Sequence, residues 1–553
     1  MRGSCVLSQN PFSRMLKKIV SPKILIIAAV ILSIYVVGRL VVFHQLKKVI
    51  QKELADLKQQ GIELNVEKLR VGPWQNRVQL DSVRMRFTEG YGRNNKMQAS
   101  LGNITLRGIG LLRAVLKKEL HINSVQLSRP FIQTMVQNEE AKDTTQKVKN
   151  SKEPAIKRLL INHLHIYQGQ WRLNENMDTP VRITTLDEVH LSNILIENNP
   201  EGPLQWQVGK TTASEISVNL PKDFHTYSLQ SIAYDKKAQT LNIDSIKITP
   251  HYNKADFPIK VGKEYTRLTV VIPYVRVRGC DFKSTPEIAL NAKEVRTKMH
   301  LESYFDKRPP FENPANKVLP IEFMQRLPII LHVDTVRLED SYAEHEEFPE
   351  IGKKTGKIFF NKLNATIANI TSRKPTDEKK LPTLSATAMF MGIGDLRTEF
   401  GFPATPDGVY YASGALYNFP MEKLNSAIEP LAKLHIESGQ MHSIKFHFQY
   451  TDARSDGELE MNYNNLKAIV LKKDDPTEKA GFANFLLNTF ILKKDLDDSV
   501  EKEKRTGTIQ FYRDRRRALF YYWWKSVLSG VLGTYSINKV PQPKDLPPEE
   551  QKK

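Results

Sequence analysis

His163 and His165 lie two residues apart in LLINHLHI, a spacing that puts both imidazoles on one face of a strand. Two such rings can share a metal ion, and with further ligands they could activate a water for hydrolysis. The sequence places no third ligand beside them. His442 and His447 fall on opposite faces of a later strand and cannot act together there. Glu188, Asp334 and Glu346 each adjoin a strand with nothing to pair them. The chain has no G-x-S-x-G elbow, P-loop, H-E-x-x-H or dinucleotide fingerprint, and the glycines of GIGDLRTEFG are spaced wrongly for a dinucleotide. No catalytic residue, metal or cofactor is therefore expected, and the protein is not expected to be an enzyme.

The histidines belong to a recurring phrase of two alternating apolar residues, a polar pair and two more alternating apolar residues. It reads LNVEKLRV at Leu64, VQLDSVRM at Val78, LHINSVQL at Leu120, LLINHLHI at Leu159, LNIDSIKI at Leu241 and LHVDTVRL at Leu331. His163 takes the second place of the polar pair, where the other copies have Lys, Ser or Thr. His165 takes a place held elsewhere by Arg, Gln or Lys. A solvated polar slot accounts for both. Within each phrase the two apolar pairs have opposite parity, so a β-bulge or tight bend at the polar pair is needed to return them to one side. Many copies imply a long, bent sheet with a continuous apolar face.

Composition agrees with a folded chain, at 40% hydrophobic and 26% charged residues over 553 positions. The net charge of +20 comes without a nucleic-acid motif, and the basic residues alternate with acidic ones along strands. An anionic membrane surface is the simpler partner, and no nucleic acid is expected. Residues 24–43 have the length and apolarity of a single membrane-spanning helix, and the leader 1–23 carries Arg2, Arg14, Lys17, Lys18 and Lys23 without an acidic residue. The positive-inside rule puts the N-terminus in the cytoplasm and the body across the membrane. Cys5 and Cys280 then lie on opposite sides and cannot pair.

The exported body reads as mainly β: an elongated, curved, repetitive antiparallel sheet with short capping helices. A first β region covers 61–305 with a polar insertion at 138–154. The prolines between Asp306 and Pro320 mark a seam, and a second β region covers 320–512. A terminal helix at 513–533 and a disordered tail at 540–553 follow. LHIESGQMHSIKFHFQY and GELEMNYNNLKAIVLKK form the clearest amphipathic hairpin. Its apolar faces nominate Ile444, Phe446, Phe448, Leu459, Met461 and Tyr463 as lipid-groove residues. The terminal helix either plugs the apolar end of the sheet or lies at a membrane interface. Arg39, Arg515, Arg516, Tyr521, Tyr522, Trp523 and Trp524 are the candidate interface residues.

The anchor, the phrases ending in proline (LHINSVQLSRP, LNIDSIKITP) and the closing block NFPMEKLNSAIEPLAKLHIESGQMHSIKFHFQY, with LLNTFILKK and WWKSVLSGVLG, resemble AsmA-like proteins of Bacteroidetes-type bacteria. The resemblance is strongest after Asn418. It implies a bacterial inner-membrane anchor, a periplasmic body, and kinship with repeating β-groove, bridge-like lipid-transfer proteins. In that setting the expected function is binding or transport of phospholipid or glycolipid for envelope and outer-membrane maintenance, with membrane lipids and other envelope proteins as partners. A scaffold for outer-membrane protein assembly is the alternative, with a groove packed shut by its own side chains. A metal-dependent hydrolase built on His163 and His165 is the third.

Overall fold

The computed structural model describes residues 62–72, 76–87, 98–110, 117–135, 156–176, 178–197, 205–283, 288–309, 316–375, 377–471 and 505–534, with isolated positions 33, 113 and 311. The expected leader, membrane helix, polar insertion, tail and Arg39 lie outside the described residues, Ser33 apart. No helix among the described residues is long and apolar enough to cross a membrane.

These residues form 23 strands and four α-helices. The chain divides into two compact units, residues 1–177 and 178–553. The first holds β1 (Ile62–Gly72), β2 (Arg77–Phe87), β3 (Gln98–Ile109), β4 (Glu119–Ser128), β5 (Phe131–Met135) and β6 (Arg158–Asn174). The second begins with β7 (Pro180–Glu197), β8 (Gln205–Gln207), β9 (Lys210–Asn219), β10 (His225–Asp235) and β11 (Thr240–Pro250). Helix α1 (Asp256–Val261), β12 (Thr266–Arg278), β13 (Asp281–Lys283), β14 (Ala289–Thr297), β15 (His300–Asp306) and helix α2 (Pro320–Gln325) follow. Then come β16 (Ile330–Phe348), β17 (Gly356–Thr371), β18 (Thr383–Phe390), β19 (Gly394–Gly401) and β20 (Tyr410–Pro420). Helix α3 (Asn425–Ala432), β21 (Leu434–Tyr450), β22 (Arg454–Val470), β23 (Arg505–Tyr512) and helix α4 (Leu519–Gly533) complete it.

The parity problem of the repeated phrase is solved by single residues in left-handed conformation. Val78 and Val83, five positions apart and so of opposite parity, are 1% and 2% exposed. Between them Ser82 has φ 52°. Val66 pairs with Val83 and Lys68 with Asp81, so both strands pass the bend with equal numbers of residues. This is a matched kink and not a one-strand bulge, and it returns the apolar residues to one face without shifting register. Ser245, with φ 54°, does the same in β11. In β3 the left-handed residue is Gly108, where a Cβ would stand 2.6 Å from that of Asn123, so only glycine fits.

The sheet pairing departs from the purely antiparallel expectation at two places. Strand β6 runs parallel to β4 and β5, and β16 runs parallel to β14 and β15. A parallel neighbour needs a long return connection, and the proline-rich stretch from Asp306 to Pro320, with α2, supplies the second one. That stretch therefore lies inside the second unit, and the unit boundary falls between Met177 and Asp178. The hairpin read from sequence is present as β21 and β22, antiparallel, with Phe446 opposite Leu459 and Ile444 opposite Met461. Pro430 lies inside α3, which follows a 3-10 turn at Met421–Leu424. Strand β19 occupies the glycine-flanked GDLRTEFG, which alternates cleanly as an edge-to-edge partner of β18 and β20.

Candidate functional site: an apolar lane across the second unit

Strand register in the second unit carries one row of apolar residues from strand to strand. Tyr234 pairs with Leu241, Leu241 with Val277, Val277 with Val295 and Val295 with Val336. Val336 pairs with Ile367, Ile367 with Leu384 and Leu384 with Phe400. Phe400 pairs with Ala412 and Ala412 with Phe448. Directly opposed residues share a face, so this register defines one lane running across the strands. Two of the repeated phrases feed it, through Leu241 in β11 and Val336 in β16.

Over β19–β23 the lane is closed. Helix α4 lies on it, with Trp523 stacked on Phe400 at a ring separation of 4.1 Å. A Cβ at Gly530 would come within 2.7 Å of Ile509 Cγ1 and Leu459 Cβ, so the helix backbone sits directly on the strands. Ile444, Phe448, Leu459 and Met461 are buried in the core cluster that includes Tyr522, and Phe446 and Tyr463 pack against it half-buried. The structure thus brings all six groove residues together, with Ile444, Phe448, Leu459 and Met461 in the interior and Phe446 and Tyr463 half-buried at its edge.

Helix α4 starts at Leu519, later than the expected 513, because Arg513 to Arg517 are held in ion pairs. Arg515 bonds Asp452 at 2.8 Å and Arg516 bonds Asp514 at 3.2 Å. Arg513 is enclosed between Asp452 and the carbonyl of Lys317. Tyr522 is buried, while Tyr521, Trp523 and Trp524 are half-buried. Burial pushes the Tyr521 hydroxyl up to about 12. An apolar helix with aromatics on every side is accommodated here by strand residues around it.

Over β10–β17 the lane is lined differently. Val277, Cys280, Ala292 and Val333 form a small cluster whose half-buried neighbours, among them Tyr234, Leu241, Val295 and Val336, all come from strands or the turns next to them. Cys280 is a free, buried thiol, and burial raises its pKa. This stretch was not singled out by sequence, since the phrases were recognised but their strand-to-strand register was not.

His163 and His165 stand side by side on β6 with ring centroids 6.3 Å apart, and His165 stacks on Tyr167 at 6.1 Å. An acid–histidine arrangement at Asp223 and His225 escaped the sequence reading. The Asp223 carboxylate accepts hydrogen bonds from the Phe224 N–H at 2.6 Å, Tyr227 hydroxyl at 2.6 Å and His225 Nδ1 at 2.9 Å. His225 Nε2 in turn accepts the Leu268 N–H at 2.9 Å, which assigns the tautomer with the proton on Nδ1. Both ring nitrogens are engaged, so the imidazole has no lone pair to offer as a base. Burial alone would raise the Asp223 pKa, but the bonds from Tyr227, His225 and Phe224 outweigh it and hold the carboxylate below its ordinary value. The D-x-H spacing was the available signal, and the geometry makes it a structural lock between β10 and β12.

No family model matches the chain, and no curated protein matches it.

Proposed function

We propose that this protein is a membrane-anchored, non-enzymatic lipid carrier whose apolar lane binds and moves phospholipid or glycolipid in the bacterial envelope, with its body in the periplasm. The observation that carries this reading is the continuous register from Tyr234 to Ile367, an apolar row lined by strand residues. Five strand spacings separate those ends, or about 24 Å at ~4.8 Å each. One acyl layer of a bilayer spans about 15 Å, so the row accommodates a full acyl chain. Each buried methylene contributes roughly 0.8 kcal/mol, enough for a chain to be retained without a covalent or catalytic step. Further along the same lane, α4 lies on the strands as an apolar rod, so the surface already accepts an apolar cylinder from within the chain.

The test is mass spectrometry of lipid extracted from full-length protein purified from membrane-containing cells. Near-stoichiometric lipid is expected. A folded, lipid-free protein overturns the reading and leaves the scaffold alternative, which draws support from the closure of β19–β23 by the chain's own side chains. Isolation of a bound outer-membrane protein would then establish that alternative.

A further inference from the structure

At one end of the strands of the second unit, three neighbouring loops combine exposed apolar side chains with lysines that have no ion-pair partner. Helix α1 buries Phe257 and holds Ile259 outward at 76% exposure. The Glu264 N–H, just after α1, donates to the Phe311 carbonyl at 2.8 Å, which sets Phe311, 68% exposed, beside that loop. The turn between β16 and β17 carries Ile351, and the end of α3 carries Leu431, both exposed. Exposed apolar side chains are ordinary when scattered singly, but these occupy adjoining segments.

Side-chain contacts join the segments. Glu346 of β16 is ion-paired with Lys254 of the α1 loop and accepts a hydrogen bond from Thr355, in the β16–β17 turn, at 2.6 Å. On its other side that turn meets α3. A Cβ at Gly352 would lie 4.0 Å from Lys433 Nζ, and one at Gly356 would lie 2.5 Å from Leu431 Cγ. The α1 loop, the turn and the end of α3 therefore form one rim.

The charge of this rim is one-sided. Residues 251–264, 349–355 and 431–433 contain Lys260, Lys263, Lys353, Lys354 and Lys433, none of which forms an ion pair among the described residues. Lys254 and Glu264 are ion-paired, with Glu346 and Arg517. Asp256 and Glu350 are the carboxylates of these segments without a cation partner, two against five lysines. The opposite strand ends differ. Trp206 and Phe282 are exposed there, but Lys210, Lys236 and Lys283, near them in the chain, are held by Asp235, Gln207 and Asp281.

Apolar tips flanked by unpaired lysines match a surface with anionic oxygens above an apolar layer. We propose that this rim docks on an anionic phospholipid bilayer, with Ile259 and Ile351 entering the head-group boundary and the lysines facing phosphates. Docking requires no lipid in the lane, so it stands or falls apart from the carrier reading.

The experiment holds full-length protein in nanodiscs of neutral phosphatidylcholine and measures its capture by added vesicles of phosphatidylcholine, with or without phosphatidylglycerol. Capture by the phosphatidylglycerol vesicles is expected, and it should weaken as salt is raised. Each lysine close to such a surface contributes about fivefold, so Lys260→Gln, Lys353→Gln and Lys354→Gln together should weaken capture roughly 100-fold. The three arginine substitutions at the same positions should retain it, because the charge stays. Ile259→Ser with Ile351→Ser should weaken it about tenfold. Trp206→Ser with Phe282→Ser, at the opposite strand ends, should leave it unchanged. Thermal melts establish that each variant folds. Equal capture by neutral vesicles, or capture undiminished in the glutamine or serine variants of the rim, overturns the proposal. Capture lost in the Trp206→Ser, Phe282→Ser protein moves the contact to the other strand ends and overturns it as well. No capture of folded parent excludes a bilayer as the occupant of the rim.

Discussion

Val336→Glu is the sharpest perturbation of the proposed lane. Val336 is half-buried, sits between Val295 and Ile367, and has strand residues for neighbours, so a glutamate there keeps part of its contact with water. Fold stability should fall by only about 1 kcal/mol, the scale of a partly exposed strand substitution. An acyl chain crossing the same position loses contact along about four methylenes, or roughly 3 kcal/mol at ~0.8 kcal/mol each. That corresponds to about a 200-fold weaker complex. The assay is lipid extraction and mass spectrometry of full-length parent and variant purified side by side, with thermal melts as the fold control. Met461→Glu is the contrasting case. Met461 is 0% exposed under α4, so an ionised carboxylate there has no route to water and the variant should fail to fold. A folded Val336→Glu protein that retains the parent's lipid would refute the lane.

Gly530→Val should lower the melting temperature, because its Cβ meets Ile509 and Leu459 at 2.7 Å; overpacking of this kind costs about 1–3 kcal/mol, read by calorimetry. Glu347 has a folded pKa near 2 against an ordinary 4.5, so its stabilisation is complete above 4.5 and disappears as pH falls towards 2. Glu347→Gln should therefore flatten the stability profile across that acid window, by about 3 kcal/mol at most, in urea melts taken at successive pH values. Lys525 works in the opposite sense: its folded pKa near 8 lies below the ordinary 10.5, so the unfolded chain binds more protons between these values and stability rises with pH across them. Lys525→Gln should raise the melting temperature at pH 7, the equivalent of about 2 kcal/mol after allowance for partial exposure, and remove that alkaline rise. Cys280 should resist a thiol reagent in the folded protein and react fully in denaturant, since it is 1% exposed with a raised pKa.

Much of the β architecture is legible in the chain because alternation is a local property. Ile444, Phe446 and Phe448 share a face in any extended conformation, and LNIDSIKI demands a parity change wherever it is placed. The bend at the polar pair was readable on the same ground. Its form was not, because a bulge and a left-handed residue both restore parity, and only the pairing of Val66 with Val83 and Lys68 with Asp81 separates them. The aromatic terminal helix was readable too, with its two possible seats left open.

What tertiary structure alone decided is which part of the apolar face is covered. Nothing local to β21 and β22 states that Trp523 will stack on Phe400 or that Gly530 will rest on Ile509, residues far apart in sequence. Register between distant strands likewise placed Tyr234, Val277 and Val336 in one row. A strand's own residues determine that it has an apolar face. Only the long-range packing of other elements determines whether that face becomes core or remains available to a ligand.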